Sequence, residues 1–286
     1  MKLSVIIACL NGADTIATQL DALAQQQWSE PWELIIADNG STDNTLAIVG
    51  RYQERIPHLR VVDASARRGQ PYALNVGARA AKADALVFVD ADDEVAPGWV
   101  AAIGDALARY EFVASRFDVK KLNSGWVLES RGQPQNNDLQ AHNPPFLPFA
   151  GSSGLGVRRA RHEAVGGFDE SMPVVFDTDY CFRIQLTGAP LHFIPEAILH
   201  IRHRDSLSGI YRQARRWAEY NVLLYKKYRP LGMPALSWKD NVLPWVRFLR
   251  LLPQVRYQGG RARVIRQLGW RIGRVVGSVK YRVIAL

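Results

Sequence analysis

The chain has 286 residues, enough to bury a sizeable core as one large domain or as one domain with an appendage. Its 48% hydrophobic and 22% charged content is that of a globular protein, and no apolar run is long enough to cross a bilayer. The net charge of +9 is unevenly placed: the last 46 residues hold ten Lys/Arg and no Asp or Glu, so the first 240 are near neutral. Charge gathered in one tail argues for a docking element and against a nucleic-acid-binding protein.

The N-terminal run Leu3–Cys9 is short and ends in Asn11-Gly12, which predicts a first strand and no signal peptide. Ala13–Gln26 carries Ile16, Leu20, Leu23 and Ala24 on one helical face. Leu34–Ala37 reads as a second strand ending in the turn cluster Asp38-Asn39-Gly40-Ser41-Thr42-Asp43. Helix Thr45–Arg55, strand Leu59–Val62, helix Pro71–Ala83, strand Ala85–Val89, helix Trp99–Tyr110 and strand Phe112–Phe117 follow. Strands alternating with helices in this way predict an α/β fold with a doubly wound, mostly parallel sheet.

Regularity breaks at Asn123–Pro148, which reads as a functional loop or lid. After Gly151–Gly156 come the Gly166-Gly167-Phe168-Asp169-Glu170 loop, a helix over Asp177–Leu186, short strands at Leu191–Ile194 and Ala197–Ile201, and a long helix over Ser206–Tyr228. The domain boundary is drawn at 229/230, with a catalytic domain over 1–229 and a basic amphipathic extension over 230–286. Within that tail, Val264, Leu268, Ile272, Val276, Val279 and Val283 fall on one helical stripe, and Arg263, Gln267, Arg271, Arg274, Ser278 and Arg282 on another. An apolar stripe beside a basic one is the pattern of a helix lying on an anionic membrane surface. Cys9 and Cys181 lie far apart in no metal-binding spacing and read as buried small hydrophobes in a reducing cytoplasm.

The chemistry gathers at strand ends. Leu86-Val87-Phe88-Val89 runs straight into Asp90-Ala91-Asp92-Asp93-Glu94. Ligands in open α/β sheets sit beyond the carboxyl ends of the strands, and clustered carboxylates repel one another until a hard cation such as Mg²⁺ or Mn²⁺ joins them. Asp38 ends another strand, and Asp177 opens a later helix.

Six segments in order carry a resemblance. They are Ala8-Cys9-Leu10-Asn11, the Asp38–Asp43 turn, Gly69 with Ala73-Leu74-Asn75-Val76-Gly77, Val89-Asp90-Ala91-Asp92-Asp93, Gly166–Glu170, and Asp177-Thr178-Asp179-Tyr180-Cys181-Phe182-Arg183. Together they resemble the family 2 glycosyltransferases with the GT-A fold, over roughly Lys2 to Arg229. The resemblance implies an inverting enzyme that uses a nucleotide sugar (uridine or thymidine linked), with Mg²⁺ or Mn²⁺ as cofactor. Asp38 would then bind the nucleobase, Asp90 would meet the ribose or the hydration shell of the metal, and Asp92 would ligate the metal directly. Asp177 would be the general base, although the family usually has Glu-Asp where this chain has Phe176-Asp177.

Asn11 and Arg68 would contribute to the nucleotide-sugar site, with Arg67 the alternative to Arg68. His200 would be a further metal ligand, with His203 as its rival. Asp93 reads as an outward carboxylate or as an N-terminal helper of the next helix, and Asp179 with Arg183 as a helix-surface pair. Gln213-Ala214-Arg215-Arg216-Trp217 matches a Q-x-x-R-W pattern of polysaccharide synthases, so Arg216 and Trp217 would face the acceptor, a glycan or a lipid-linked glycan. Two other readings stand beside this one. A nucleotidyltransferase would want a Gly-rich basic loop after the first strand, which Ala8–Gly12 does not supply. A non-catalytic nucleotide- or nucleic-acid-binding protein is suggested by the pI alone. The location expected is cytoplasmic, peripheral on the cytoplasmic face of the membrane.

Overall fold

The structure is a computed structural model that describes residues 1–56 and 58–285. The described chain falls into two units. Unit one comprises residues 1–118, 135–140 and 148–201, and unit two comprises 119–134, 141–147 and 202–286. Packing therefore groups the chain differently from the 229/230 line drawn on charge, since residues 202–229 belong with the basic tail.

Unit one is built on β1 (Leu3–Cys9), α1 (Ile16–Ala24), β2 (Trp32–Asp38), α2 (Thr45–Gly50), β3 (Leu59–Asp63), α3 (Gln70–Ala80) and β4 (Ala85–Asp90). β1, β2 and β4 are apolar on both faces and wholly or almost wholly buried, as parallel strands covered by helices must be. A two-residue strand β5 (Glu94–Val95) follows, then α4 (Trp99–Arg109) and β6 (Phe112–Asp118). The eight strands of the sheet run in the order β3-β2-β1-β4-β7-β6-β8-β5. The β3-β2-β1-β4 half is parallel, and the register pairs Cys9 with Asp38 and Ala8 with Asp90. Both aspartates therefore emerge at the same edge, on either side of β1, where the strand order reverses.

The segment expected as a lid is ordered into the fold. It contains α5 (Gly125–Arg131), in unit two. In unit one, Gln135 donates from Nε2 to Ser115 O at 2.8 Å, and its own carbonyl accepts from Phe117 N. β7 (Leu155–Arg158) runs antiparallel between β4 and β6. α6 (Arg159–Ala164) and α7 (Phe176–Leu186) follow, and the two short strands expected near residue 195 are one bulged strand, β8 (His192–His200), parallel to β6 and antiparallel to β5.

Unit two carries α8 (Leu207–Tyr228), α9 (Trp238–Leu251) and α10 (Gln258–Tyr281). α9 opens with a capping box in which Ser237 Oγ accepts from Asp240 N and the Asp240 carboxylate accepts from Ser237 N. α10 packs on α8 through Gly269, Gly273 and Gly277, one helical turn apart; a Cβ at these positions would run into the carbonyl oxygens of Tyr211, Arg215 and Glu219. That contact corrects the two-stripe reading of the tail. Arg271 and Arg274, from the basic stripe expected to meet an anionic surface, are buried, and Val279, from the apolar stripe, is 77% exposed. Close approach of the two backbones, which only glycine permits, decides which face of α10 turns inward. Residue 286 of the tail lies outside the described residues. Among the described residues no helix is long and apolar enough to cross a membrane.

Candidate active site

The edge beyond β4 is held by side chains from three other segments. Asp90, Asp92 and Asp93 each present a carboxylate oxygen within 4.8 Å of the others. Gln70 Nε2, at the start of α3, donates to Asp90 Oδ1 at 2.8 Å. Ser153 Oγ donates to Asp93 Oδ2 at 2.6 Å and accepts from Asp90 N at 3.0 Å, so one hydroxyl fixes both ends of the cluster. Gln19 of α1 bridges the turn, donating to Asp90 O and accepting from Val95 N. Asp93 is therefore a buried, hydrogen-bonded member of the cluster, not an outward carboxylate.

Burial pushes the Asp90 carboxyl well above the usual carboxylate range, and the negative charges of Asp93, Asp92 and Asp177 push in the same direction. Oxygen-only donors at this spacing suit a hard divalent cation, and like charges that raise one another's cost of ionisation are what a cation relieves. The donor set thus fits Mg²⁺ or Mn²⁺.

Asp177 is the second residue of α7, whose preceding residue Val175 is left-handed (φ 51°) and makes no side-chain cap. It is not the N-cap. Its Oδ1 accepts from Thr178 N at 2.8 Å and its Oδ2 from Ser152 N at 3.3 Å. Burial raises its pKa against the lowering effect of those backbone donors. A carboxylate so placed has basicity suited to taking a proton.

The loop before α7 is clamped from α3. Asn75 Oδ1 accepts from Phe168 N, and its Nδ2 donates to Phe168 O and Glu170 Oε1, all at 2.9 to 3.0 Å. Gly167, at φ 74°, lies so close to Asn75 Oδ1 that a Cβ would come within 2.5 Å of it. Phe168 then packs on Phe88 and Tyr180, with ring centroids 4.8 and 4.2 Å away. This cluster ties α7, and with it Asp177, to the strand that carries the aspartates. Asp179, expected on a helix surface, is fully buried and pairs with Arg183 at 2.7 Å.

At the end of β2 the Asp38 carboxylate accepts from Gly40 N and Ser41 N at 3.1 to 3.2 Å. Arg68 reaches back over that turn, donating from Nη1 to Asn39 O at 2.7 Å. Arg67 turns away, to Glu170 at 2.6 Å and over the Tyr72 ring. Asn11, left-handed at φ 51°, accepts from Thr42 N through Oδ1 and is held through its own N–H by Ser41 Oγ. Asp38, Arg68 and Asn11 thus share one corner of unit one.

His200 stands opposite Glu94 in the β5–β8 ladder, two residues from Asp92, and its Nδ1 is taken by Asp118 Oδ2 at 2.8 Å. Only Nε2 of that ring is then left for a metal. His203, Arg216 and Trp217 lie in unit two, with Arg216 and Trp217 exposed on α8. Ser152, Ser153, Gln19 and Gln70 had no sequence signal beyond the Gly-Ser-Ser-Gly run.

The pattern of a family described as "Glycosyl transferase family 2" matches residues 4–166, and that of "Glycosyl transferase family group 2" matches residues 133–272. The uncharacterized glycosyltransferase YibD of Escherichia coli is 35% identical over 284 residues, covering 91% of this chain and 78% of that protein. The chain belongs to glycosyltransferase family 2. The transferase is also 24% identical over 246 residues to a poly-beta-1,6-N-acetyl-D-glucosamine synthase of Staphylococcus epidermidis, spanning 58% of that protein's length. Among solved structures, a Pyrobaculum calidifontis mannosyltransferase in complex with GDP-Man and Mn²⁺ superposes with a TM-score of 0.70 at 19% identity, covering 96% of this chain and 86% of that one. Staphylococcus aureus TarS 1-349 with UDP-GlcNAc gives 0.55 at 16% identity, over 99% of this chain and 93% of that one. At these identities the likeness is one of fold, and that fold is GT-A-like.

Proposed function

We propose that the transferase moves a sugar, with inversion, from a uridine or thymidine diphosphate sugar to a hydroxyl of a glycan or lipid-linked acceptor in cell-surface polysaccharide or glycolipid synthesis. The observation that carries this reading is the Asp90–Asp92–Asp93 cluster at the end of β4, with the charge of Asp177 acting on it. The polymer synthase and the donor-bound structures among its relatives support the substrate class. Asp92, with Asp90 and with His200 through Nε2, would hold a divalent cation. When bound, that ion supplies positive charge to the donor diphosphate and its leaving group. Asp38 meets the nucleobase of the donor and Arg68 its phosphates, and Asn11 orders the turn beside them. Asp177 accepts the proton of the attacking hydroxyl in a single in-line displacement, as the sugar leaves the diphosphate. Arg216 and Trp217 meet the acceptor, the exposed indole offering a stacking face. The tail brings the protein to an anionic, cytoplasm-facing membrane where a lipid-linked acceptor would reside.

The test is hydrolysis of a panel of UDP, dTDP and GDP sugars, with Mn²⁺ and with EDTA. Slow turnover of one or two donors, abolished by EDTA and by Asp92→Asn, is the expected result. Full activity in EDTA would remove the metal from the account, and release of pyrophosphate from a nucleoside triphosphate would favour a nucleotidyltransferase.

A further inference from the structure

Among the described residues, unit two contains a group of basic side chains with no ion-pair partner. Arg131, at the end of α5, has a buried Nε with no hydrogen-bond partner; so has Arg271 of α10, and so has His203 at Nε2. Arg271 is nine-tenths buried. Arg131 and Arg266 come from separate stretches of chain that converge, and the charge of Arg266 acts on Arg131, His203 and Arg271 alike. Arg266 of α10 donates from Nε to Ser130 O at 3.1 Å, next to Arg131 in sequence. Arg131 donates from Nη2 to Gln213 Oε1 on α8, and Arg271 from Nη2 to Gln267 Oε1 one turn back along α10. His203 is anchored through its backbone N–H to Asn123 Oδ1 at 2.7 Å.

The charges that act on these groups are all positive. Burial first, and then Arg266 and Arg204, push Arg131 down to about 10. Burial, then Arg131 and Arg266, hold His203 down at about 4. Burial and a neighbouring arginine also lower Arg266 and Arg271. Among the described residues none of the three arginines forms an ion pair. A buried guanidinium lacking both a carboxylate and a full set of acceptors is strongly destabilising on its own. Three such groups that repel one another, with donors left bare, have the composition of an anion site: planar forks that match phosphate oxygens and an imidazole that can donate a further hydrogen bond.

We infer that Arg131, Arg266, Arg271 and His203 form a binding site in unit two for a phosphate group. The phosphate could belong to an ester on the acceptor or to a nucleoside diphosphate. Its residues all belong to unit two, and the inference does not depend on the transfer chemistry.

The experiment is thermal unfolding of the full chain in EDTA and a non-phosphate buffer, with inorganic phosphate, glycerol 1-phosphate or UDP added, against sodium chloride at matched ionic strength. EDTA disables metal-dependent donor binding. Phosphate and at least one of the two esters are expected to raise the Tm by more than about 2 °C where chloride does not. A larger shift with glycerol 1-phosphate assigns the group to an acceptor ester, and a larger shift with UDP that Arg271→Met abolishes assigns it to the nucleotide. Arg271→Met should lose the phosphate response while unfolding no earlier than wild type without phosphate, because an unpaired charge has been removed. Should Arg271→Met fail to fold, Arg266→Gln serves the same comparison. NMR of the His203 ring should show its pKa rising by a unit or more on addition of phosphate. Equal shifts with chloride, a phosphate response intact in the variants, or an unmoved His203 would each overturn the inference.

Discussion

Removing the clamp on the loop that leads to Asp177 tests how the site is positioned. Asn75 is buried on α3 and makes three hydrogen bonds to the Phe168–Glu170 segment. Asn75→Ala leaves Phe168 N and Phe168 O without partners in the interior. Each unsatisfied buried backbone group costs about 1–3 kcal/mol. The third bond, to the partly buried Glu170 carboxylate, adds roughly 0.5–1 kcal/mol. A loss of about 2.5–7 kcal/mol is predicted, towards the lower end if water enters the space. The assay is urea unfolding followed by tryptophan fluorescence, read as a shift in midpoint at unchanged slope. Because Phe168 packs on Tyr180 of α7, donor turnover should fall as well. Asn75→Asp is the sharper control. It keeps the acceptor for Phe168 N but turns an oxygen towards Phe168 O and Glu170, so it should destabilise at least as much. A loss under about 0.5 kcal/mol for Asn75→Ala, with turnover unchanged, would refute the clamp.

Three further predictions concern other parts of the chain. Burial holds His162, hydrogen-bonded to Tyr180 Oη at 2.7 Å, down at about 4. Between that value and the ordinary value near 6.5 the unfolded chain binds a proton that the folded chain does not, so stability is full above about 6.5 and falls as pH drops towards 4, by on the order of 3 kcal/mol. His162→Phe should reduce that acid slope in urea midpoints taken from pH 4 to 7, and an unchanged slope would show that the ring is not buried neutral. Gly273→Leu, whose Cβ would run into Arg215 O, should destabilise unit two by several times the roughly 1–3 kcal/mol of ordinary overpacking or prevent its folding, read by helical circular dichroism; a stable variant would mean that α8 and α10 do not meet there. On α9, Trp238, Val242, Val246 and Leu249 form an exposed apolar strip, with Lys239, Arg247 and Arg250 beside it. Trp238→Ser with Leu249→Ser should therefore abolish co-sedimentation with anionic vesicles, and retention of that binding would place the contact elsewhere.

The parallel half of the sheet was legible because its strands are continuous apolar runs that end in turn residues, and β1 begins and ends at the residues expected. β5 and β7 were not legible. Two residues carry no periodicity, and Leu155–Arg158 follows a glycine-rich stretch that reads as loop. α5 was missed because it starts at a glycine and is too short to show a helical repeat. At the site, the aspartates were readable as strand-end carboxylates, but the groups that hold them were not. Ser153, Gln19 and Gln70 act through contacts made 20 to 76 residues away along the chain. α10 misled because its arginines were taken as an exposed basic face for an anionic surface. The glycines spaced four apart at 269, 273 and 277 were the better guide to its packed face.

The central claim is that the carboxylates at the end of β4 hold the donor while Asp177 removes the acceptor proton. The most direct measurement compares Asp177→Asn with wild type, using the nucleotide sugar that wild type turns over, for both donor binding in Mn²⁺ and turnover. Asparagine keeps the size of the side chain and an acceptor for Thr178 N, so the account predicts donor affinity within a few-fold of wild type and turnover lower by roughly 10²–10⁴. Wild-type turnover in Asp177→Asn, or loss of donor binding with no separate loss of turnover, would contradict it.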